Sequence, residues 1–402
     1  VRRAQQKRIW RTLALMLMAT AAYCQAPSAA TGSQREQALT LEQQGKNSEA
    51  EAAWRLYLKN HPSSPEPYAH LGLLEARQEH YSEAVALYRK ALAINSANSG
   101  VHLNLGLALF KSGELKQAIA QFQPLLEKQP SGSAEYQRLT TLIGMAHYGL
   151  GEYAEAIPYL KQATVNDPQN LPLRMTLAHC YLWTKQYQNV LNTYHEILTL
   201  GAESAESDLL AGEALDAMKD NFGAIQQFRA AVKADPKFPG VHFSLGYMLW
   251  TQKQFTEAAT EFQAELANDP ESAQAMTYLA DIYLQRQQSE FASQLLEKAT
   301  RLDPSIEQAH LDLGILYADA GRSEEALREL KQAEKQAPQD VDIHWRLGRL
   351  YRTMGKSEEA KAEFQLASQI NKNANDALVN RIGRGGEKPA STPEPEPSPN
   401  QK

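Results

Sequence analysis

The sequence predicts an all-α protein built as a stack of antiparallel helical hairpins, and three observations predict it. Small residues recur in register. Gly72/Ala84, Gly106/Ala118, Gly144/Ala156, Gly212/Ala224, Gly246/Ala258, Ala280/Ala292, Gly314/Ala326 and Gly348/Ala360 keep a separation of twelve and return every 34 residues over most of the chain. Apolar side chains around each pair fall at helical spacing, and a proline follows most pairs. A period this strict describes one tandem array, although a chain of 402 residues would otherwise suggest two or three domains.

From the N-terminus, residues 1–26 read as a secretory signal. Arg2, Arg3, Lys7, Arg8 and Arg11 precede an apolar run from Thr12 to Ala22, then small residues to Ala30. About eleven apolar residues fall short of the roughly 20 a helix needs to cross a bilayer, so cleavage is expected rather than anchoring. The mature protein is then periplasmic or secreted. Lipidation at Cys24 is disfavoured by bulky Tyr23, and cleavage beyond Cys24 would leave Cys180 as the one cysteine, a buried small hydrophobe in a helical pattern. Residues 27–30 form a short linker. From residue 27 onward 36 basic and 47 acidic side chains give a net −11, a poor match to nucleic acid or an anionic membrane.

The array proper spans 31–374. Ten units, with an insert at 133–136, start at residues 31, 65, 99, 137, 171, 205, 239, 273, 307 and 341. In 307–340, Ala309, Leu313, Leu316 and Tyr317 share one helical face and Ala326, Leu327, Leu330 and Ala333 another. Gly321-Arg322-Ser323 stops one helix and starts the next, and Pro338 ends the second. Gly314 and Ala326 let the two helices approach closely. Pro124 stands inside a second helix and the insert follows, so a bend is expected at 120–136 between a three-unit and a seven-unit block. Unit 171–204 is weaker, with Val190 for alanine and Gly201-Ala202 in place of the closing proline. Residues 375–382 are expected to extend a capping helix over the last apolar face. The Pro/Glu-rich composition of 383–402 predicts disorder.

The order Leu71-Gly72, then an aromatic such as Tyr88, then a closing Pro, repeated through Leu105-Gly106, Ile143-Gly144, Leu245-Gly246, Leu313-Gly314 and Leu347-Gly348, resembles the tetratricopeptide repeats. The resemblance covers residues 31–374. It implies a right-handed superhelical solenoid whose concave groove is lined by each unit's first helix. It also implies that the second, fifth, sixth, ninth, twelfth and thirteenth places of a unit face the groove. Those places hold Phe110, Tyr148, Trp183, Phe243, Tyr247, Trp250, Tyr278 and Trp345, with leucines and methionines among them. Toward the end they hold Asp281, Asp312 and Asp319, then Arg346, Arg349 and Arg352, which can pair with a partner's carboxylates. Aromatic anchors of this kind carry most of the energy in protein interfaces. The competing reading is that the rings pack between neighbouring first helices. The family's carboxylate clamp is incomplete: Asn104 and Arg138 match it, whereas Ala69, Leu73 and Leu142 do not.

No catalytic motif, nucleotide loop or cysteine pair at metal spacing is present, so no catalytic residue, metal site or cofactor is expected. His102, His242, His310 and His344 share one place in their units. They read as flat packing side chains within their own hairpins rather than as a metal or proton ladder. The expected function is a non-catalytic scaffold holding a segment of another protein in the cell envelope, with no nucleic-acid partner and no membrane span. Two alternatives stay open: an accessory subunit or chaperone of an envelope secretion, pilus or polysaccharide-export assembly, and a carbohydrate-binding or enzymatic use of the aromatic groove.

Overall fold

The computed structural model describes residues 32–384. The expected signal and most of the expected tail lie outside the described residues. Among the described residues there are twenty α-helices and no strands, and the helices pair in tandem. The chain divides into two compact units between Phe238 and Pro239. The first unit contains α1 (Gly32–Gln43), α2 (Asn47–Asn60), α3 (Glu66–Arg77), α4 (Tyr81–Ile94), α5 (Ser99–Lys111) and α6 (Leu115–Leu126). It continues through α7 (Ala134–Leu150), α8 (Tyr153–Asn166), α9 (Leu171–Trp183), α10 (Tyr187–Thr199), α11 (Ala205–Ala217) and α12 (Asn221–Ala234). The second holds α13 (Val241–Thr251), α14 (Phe255–Asn268), α15 (Ala273–Gln285), α16 (Ser289–Leu302), α17 (Glu307–Asp319), α18 (Ser323–Gln336), α19 (Val341–Thr353) and α20 (Ser357–Arg384).

Each hairpin turns through one residue in the left-handed region. Gly45, Gly113, Gly151, Gly321 and Gly355 take that place in five hairpins, and Glu79, Lys185, Lys219, Lys253 and Gln287 take it in the other five with φ of 58–67°. Glycine is free there, whereas the five others are strained by roughly 1 kcal/mol or more each. The conformation is therefore imposed by the packing of the two helices it joins.

The glycine of each Leu-Gly pair makes room for the side chain sixteen residues later. A Cβ on Gly106 would lie 2.4 Å from Cε1 of Phe122, and one on Gly348 would lie 2.6 Å from Cε1 of Phe364. Leu330 fills the same place against Gly314. Close approach is thus glycine against a large side chain. The alanine twelve residues on is also buried, Ala118 and Ala326 being fully so. Trp54, Tyr88, Phe122 and Phe262, all buried, repeat this ring place along the array.

The structure absorbs the insert at 133–136 without a division. Ser133 caps α7 by accepting from the Tyr136 amide, and Ala134 to Tyr136 become an added first turn, as a stretch of about 3.6 residues can. α6 and α7 pack on each other. The boundary between the two compact units falls at 238/239. Pro124 lies in the last turn of α6, where it cannot donate to the Ala120 carbonyl, and the helix ends two residues later. In the weaker unit, Val190 is fully buried where alanine was expected and Gly201 turns the chain with φ 65°. At the end, α20 runs without a break through 375–382, the stretch expected as a cap, to Arg384.

Candidate partner-binding face

In the second unit, the first helix of a hairpin touches the first helix of the next: α13 meets α15, α15 meets α17, and α17 meets α19. Side chains at equivalent places on these helices therefore form one surface. In the second unit that surface opens on an aromatic cluster. Phe243 and Tyr247, one helical turn apart on α13, are stacked with centroids 6.3 Å apart, and Tyr247 stacks on Trp250 at 6.2 Å. Tyr278 of α15 meets Trp250 edge-on at 5.0 Å and Tyr247 at 5.3 Å, and stacks on Phe262 of α14 at 5.7 Å. All four inner rings are half-buried. They are thus packed on one another and still accessible.

Trp250 also donates from Nε1 to Oδ2 of Asp281 at 2.6 Å, and Gln285 Nε2 donates to the same oxygen at 2.8 Å. One turn of stack further, Asp312 on α17 is only 7% exposed. Its Oδ1 accepts from Gln308 Nε2 at 2.8 Å, and its Oδ2 has no hydrogen-bond partner. Burial, reinforced by the charges of Asp281 and Glu307 and opposed by the Gln308 hydrogen bond and Arg346, pushes its pKa up to about 7. Aspartates at these places were legible in the sequence. What the sequence did not display is that one of them is buried with an unmet oxygen.

The remaining expected positions separate into two groups. Phe110 and Tyr148 are each 7% exposed and belong to the core of the first unit, so their rings are committed to packing. Trp183, 37% exposed, stacks on Tyr153 at 6.0 Å, and Trp345, 48% exposed, leans on Phe364 at 4.8 Å. Arg346 Nε donates to Asp342 at 2.7 Å, Arg352 sits over the Phe364 ring at 6.0 Å, and Arg349 is exposed. Arg346 and Arg349 share a cleft with Asp319.

The four in-register histidines do more than pack. Each places Nδ1 on the side chain nineteen residues later, within its own hairpin: Gln121 at 2.7 Å, Glu261 at 2.6 Å, Glu329 at 2.7 Å and Glu363 at 2.7 Å. His102, His310 and His344 also place Nε2 on a carbonyl six residues earlier. They are ties between first helix, second helix and preceding loop. Glu334, His344 and Glu363 bring three ligand-type atoms together, but Lys331 Nζ already bonds Glu334 at 2.8 Å and Glu363 at 3.0 Å. An ammonium group supplies the positive charge of that cluster. Cys180 is fully buried, and burial pushes its thiol up to about 12, so it behaves as the expected small hydrophobe. No helix among the described residues is long and apolar enough to cross a membrane.

A face assembled from successive first helices of tandem hairpins defines a helical-repeat protein. Tetratricopeptide repeat models match residues 75–143, 147–206 and 317–381, and a second such model matches 35–99, 209–273 and 252–306. The chain belongs to the tetratricopeptide repeat family, whose members bind other proteins or peptides. Among curated proteins it is 23% identical over 206 residues to BBSome complex member BBS4 of Bos taurus, covering 50% of this chain and 38% of that one. It is 25% identical over 155 residues to the cell division cycle protein 16 homolog of Homo sapiens, covering 37% and 25% respectively. The chain thus spans well under half the length of these relatives. Among solved structures, MamA is 21% identical with a TM-score of 0.37, covering 41% of this chain and 96% of that one. YrrB, described as a tetratricopeptide repeat protein with an unusual peptide-binding site, is 20% identical with a TM-score of 0.38, covering 47% and 95%.

Proposed function

We propose that this chain is a non-catalytic scaffold of the cell envelope that holds a segment of another protein against the first helices of its second unit. The observation that carries the reading is the half-buried cluster of Phe243, Tyr247, Trp250 and Tyr278. Such rings already have their shape fixed by their neighbours, so a ligand laid on them gains contact area at small entropic cost. Family membership supports a protein or peptide ligand over a sugar. The envelope location rests on the basic and apolar composition of residues 1–26.

The test compares the mature protein with a Tyr247→Ala, Trp250→Ala double variant as bait in envelope extract. A partner that depends on both rings is expected to be lost from the variant, with circular dichroism unchanged. Equal recovery of every partner by the two proteins would remove the groove assignment. Finding the native chain in the cytosol with residues 1–26 attached would remove the envelope assignment.

A further inference from the structure

The aromatic cluster runs directly into acid. Tyr278 and Asp312 occupy equivalent places on successive first helices, α15 and α17, which touch, and Asp281 lies one turn beyond Tyr278. Tyr278, Asp281 and Asp312 therefore share the inner face. Asp312 is more than nine-tenths buried and one of its oxygens meets no donor. A buried carboxylate oxygen without a partner is costly to keep, and natural interiors rarely keep one. On the neighbouring first helix, Arg346 acts on Asp312 through its charge, while its Nε is bonded to Asp342. Beside it, Trp250 orients the Asp281 carboxylate through Nε1 and stands edge-on to Tyr278. An aromatic wall next to two carboxylates is what a cationic side chain with an apolar stem requires: ring for the stem, charge for the head.

We propose that Asp281 and Asp312 receive a lysine or arginine side chain of the bound partner segment, its aliphatic stem lying on Trp250 and Tyr278. This rests on the reading that the aromatic face of the second unit binds a protein segment, and it specifies that segment as one with a basic residue next to apolar ones. The ammonium or guanidinium bonds the Asp281 carboxylate and sets its charge beside Asp312, whose Oδ2 is closed to solvent. Without a ligand, burial holds the carboxyl partly protonated near neutral pH, so the site waits in a less costly form and ionises when the cation arrives.

The test is selection of a randomised dodecapeptide phage library on the full chain, followed by anisotropy of the most enriched peptides carrying fluorescein. Enriched peptides are expected to share a Lys or Arg beside an aromatic or aliphatic residue. Asp312→Asn, close in shape to the wild type, should weaken them at least tenfold, and so should replacing that basic residue by norleucine. A consensus without a basic residue, or affinity within twofold of wild type for Asp312→Asn, overturns the proposal while leaving the face intact, provided that the Tyr247→Ala, Trp250→Ala variant abolishes binding. Peptides that bind that double variant as well as wild type overturn the underlying face too. Thermal melting keeps folding separate. Asp312→Asn should melt above wild type at pH 8, where wild type carries the buried charge, and the difference should vanish near pH 4.

Discussion

His344 is 1% exposed and bound on both ring nitrogens. Its Nε2 faces the carbonyl of Pro338, which only accepts, so Nε2 carries a proton, and Nδ1 faces the Glu363 carboxylate. Burial by itself would lower the His344 pKa. The hydrogen bonds to Glu363 and Pro338, with the charges of Glu363 and Glu334, outweigh burial and raise it above 6.5. Lys331, bonded to both glutamates, is the remaining charge in contact with the cluster. Because the folded value lies above the unfolded one, the stabilisation is complete below about pH 6.5 and is lost as pH rises through the folded pKa. His344→Gln should therefore cost on the order of 1–3 kcal/mol at pH 5.5, as hydrogen bonds to a charged group do. The gap from wild type should narrow at pH 9. Urea unfolding at the two pH values measures it, and a pH-independent gap would show that the neutral ring provides the tie.

At the scale of the hairpin, glycine and ring form one packing unit. Gly106→Ala places a methyl where Phe122, fully buried, has no free space, so an overpacking cost of about 1–3 kcal/mol is expected in urea unfolding. Adding Phe122→Leu should recover part of it, because the array already joins Ala280 to a hairpin with Leu296 at the ring place, both fully buried. No recovery would mean that α5 is held against something other than the ring. The sequence made the helices, their pairing and the turn at Gly321 legible, since period and small residues are local signals. It did not show that Glu79, Lys185, Lys219, Lys253 and Gln287 take the same left-handed turn, because only tertiary packing compels a charged or amide side chain to accept that strain. The candidate face was legible in half. Tyr247, Trp250 and Tyr278 are half-buried, whereas Phe110 and Tyr148, at places of the same kind, are buried. A place in the repeat fixes the direction of a side chain, and the size of its neighbours decides whether it reaches solvent. The division at 238/239 falls between two regular repeats and has no local signal in the sequence.

At the scale of the chain, stability is spread along the stack. Hairpins of a repeat array contact their neighbours in sequence, so the energy of one is shared only with the next. Each unit has cores of its own: one runs from Ala84 to Ala214 in the first unit, and another from Ala273 to Leu350 in the second. Leu347 is fully buried in the latter. Leu347→Ala removes its contacts and leaves a cavity, a loss of about 2–5 kcal/mol at that place. A globular protein that unfolds as one body would pass such a loss to every amide that exchanges by global opening, whereas a stack confines it to the hairpins nearby. Hydrogen exchange of the variant should therefore quicken in α19, in α20, and to a smaller degree in α17 and α18. The amides of Leu139 to Ala146 in α7 should exchange as in the wild type. Equal acceleration at Leu139 to Ala146 would mean that the two units open together, and that a ligand held by the second unit would stabilise the first as strongly as its own hairpins.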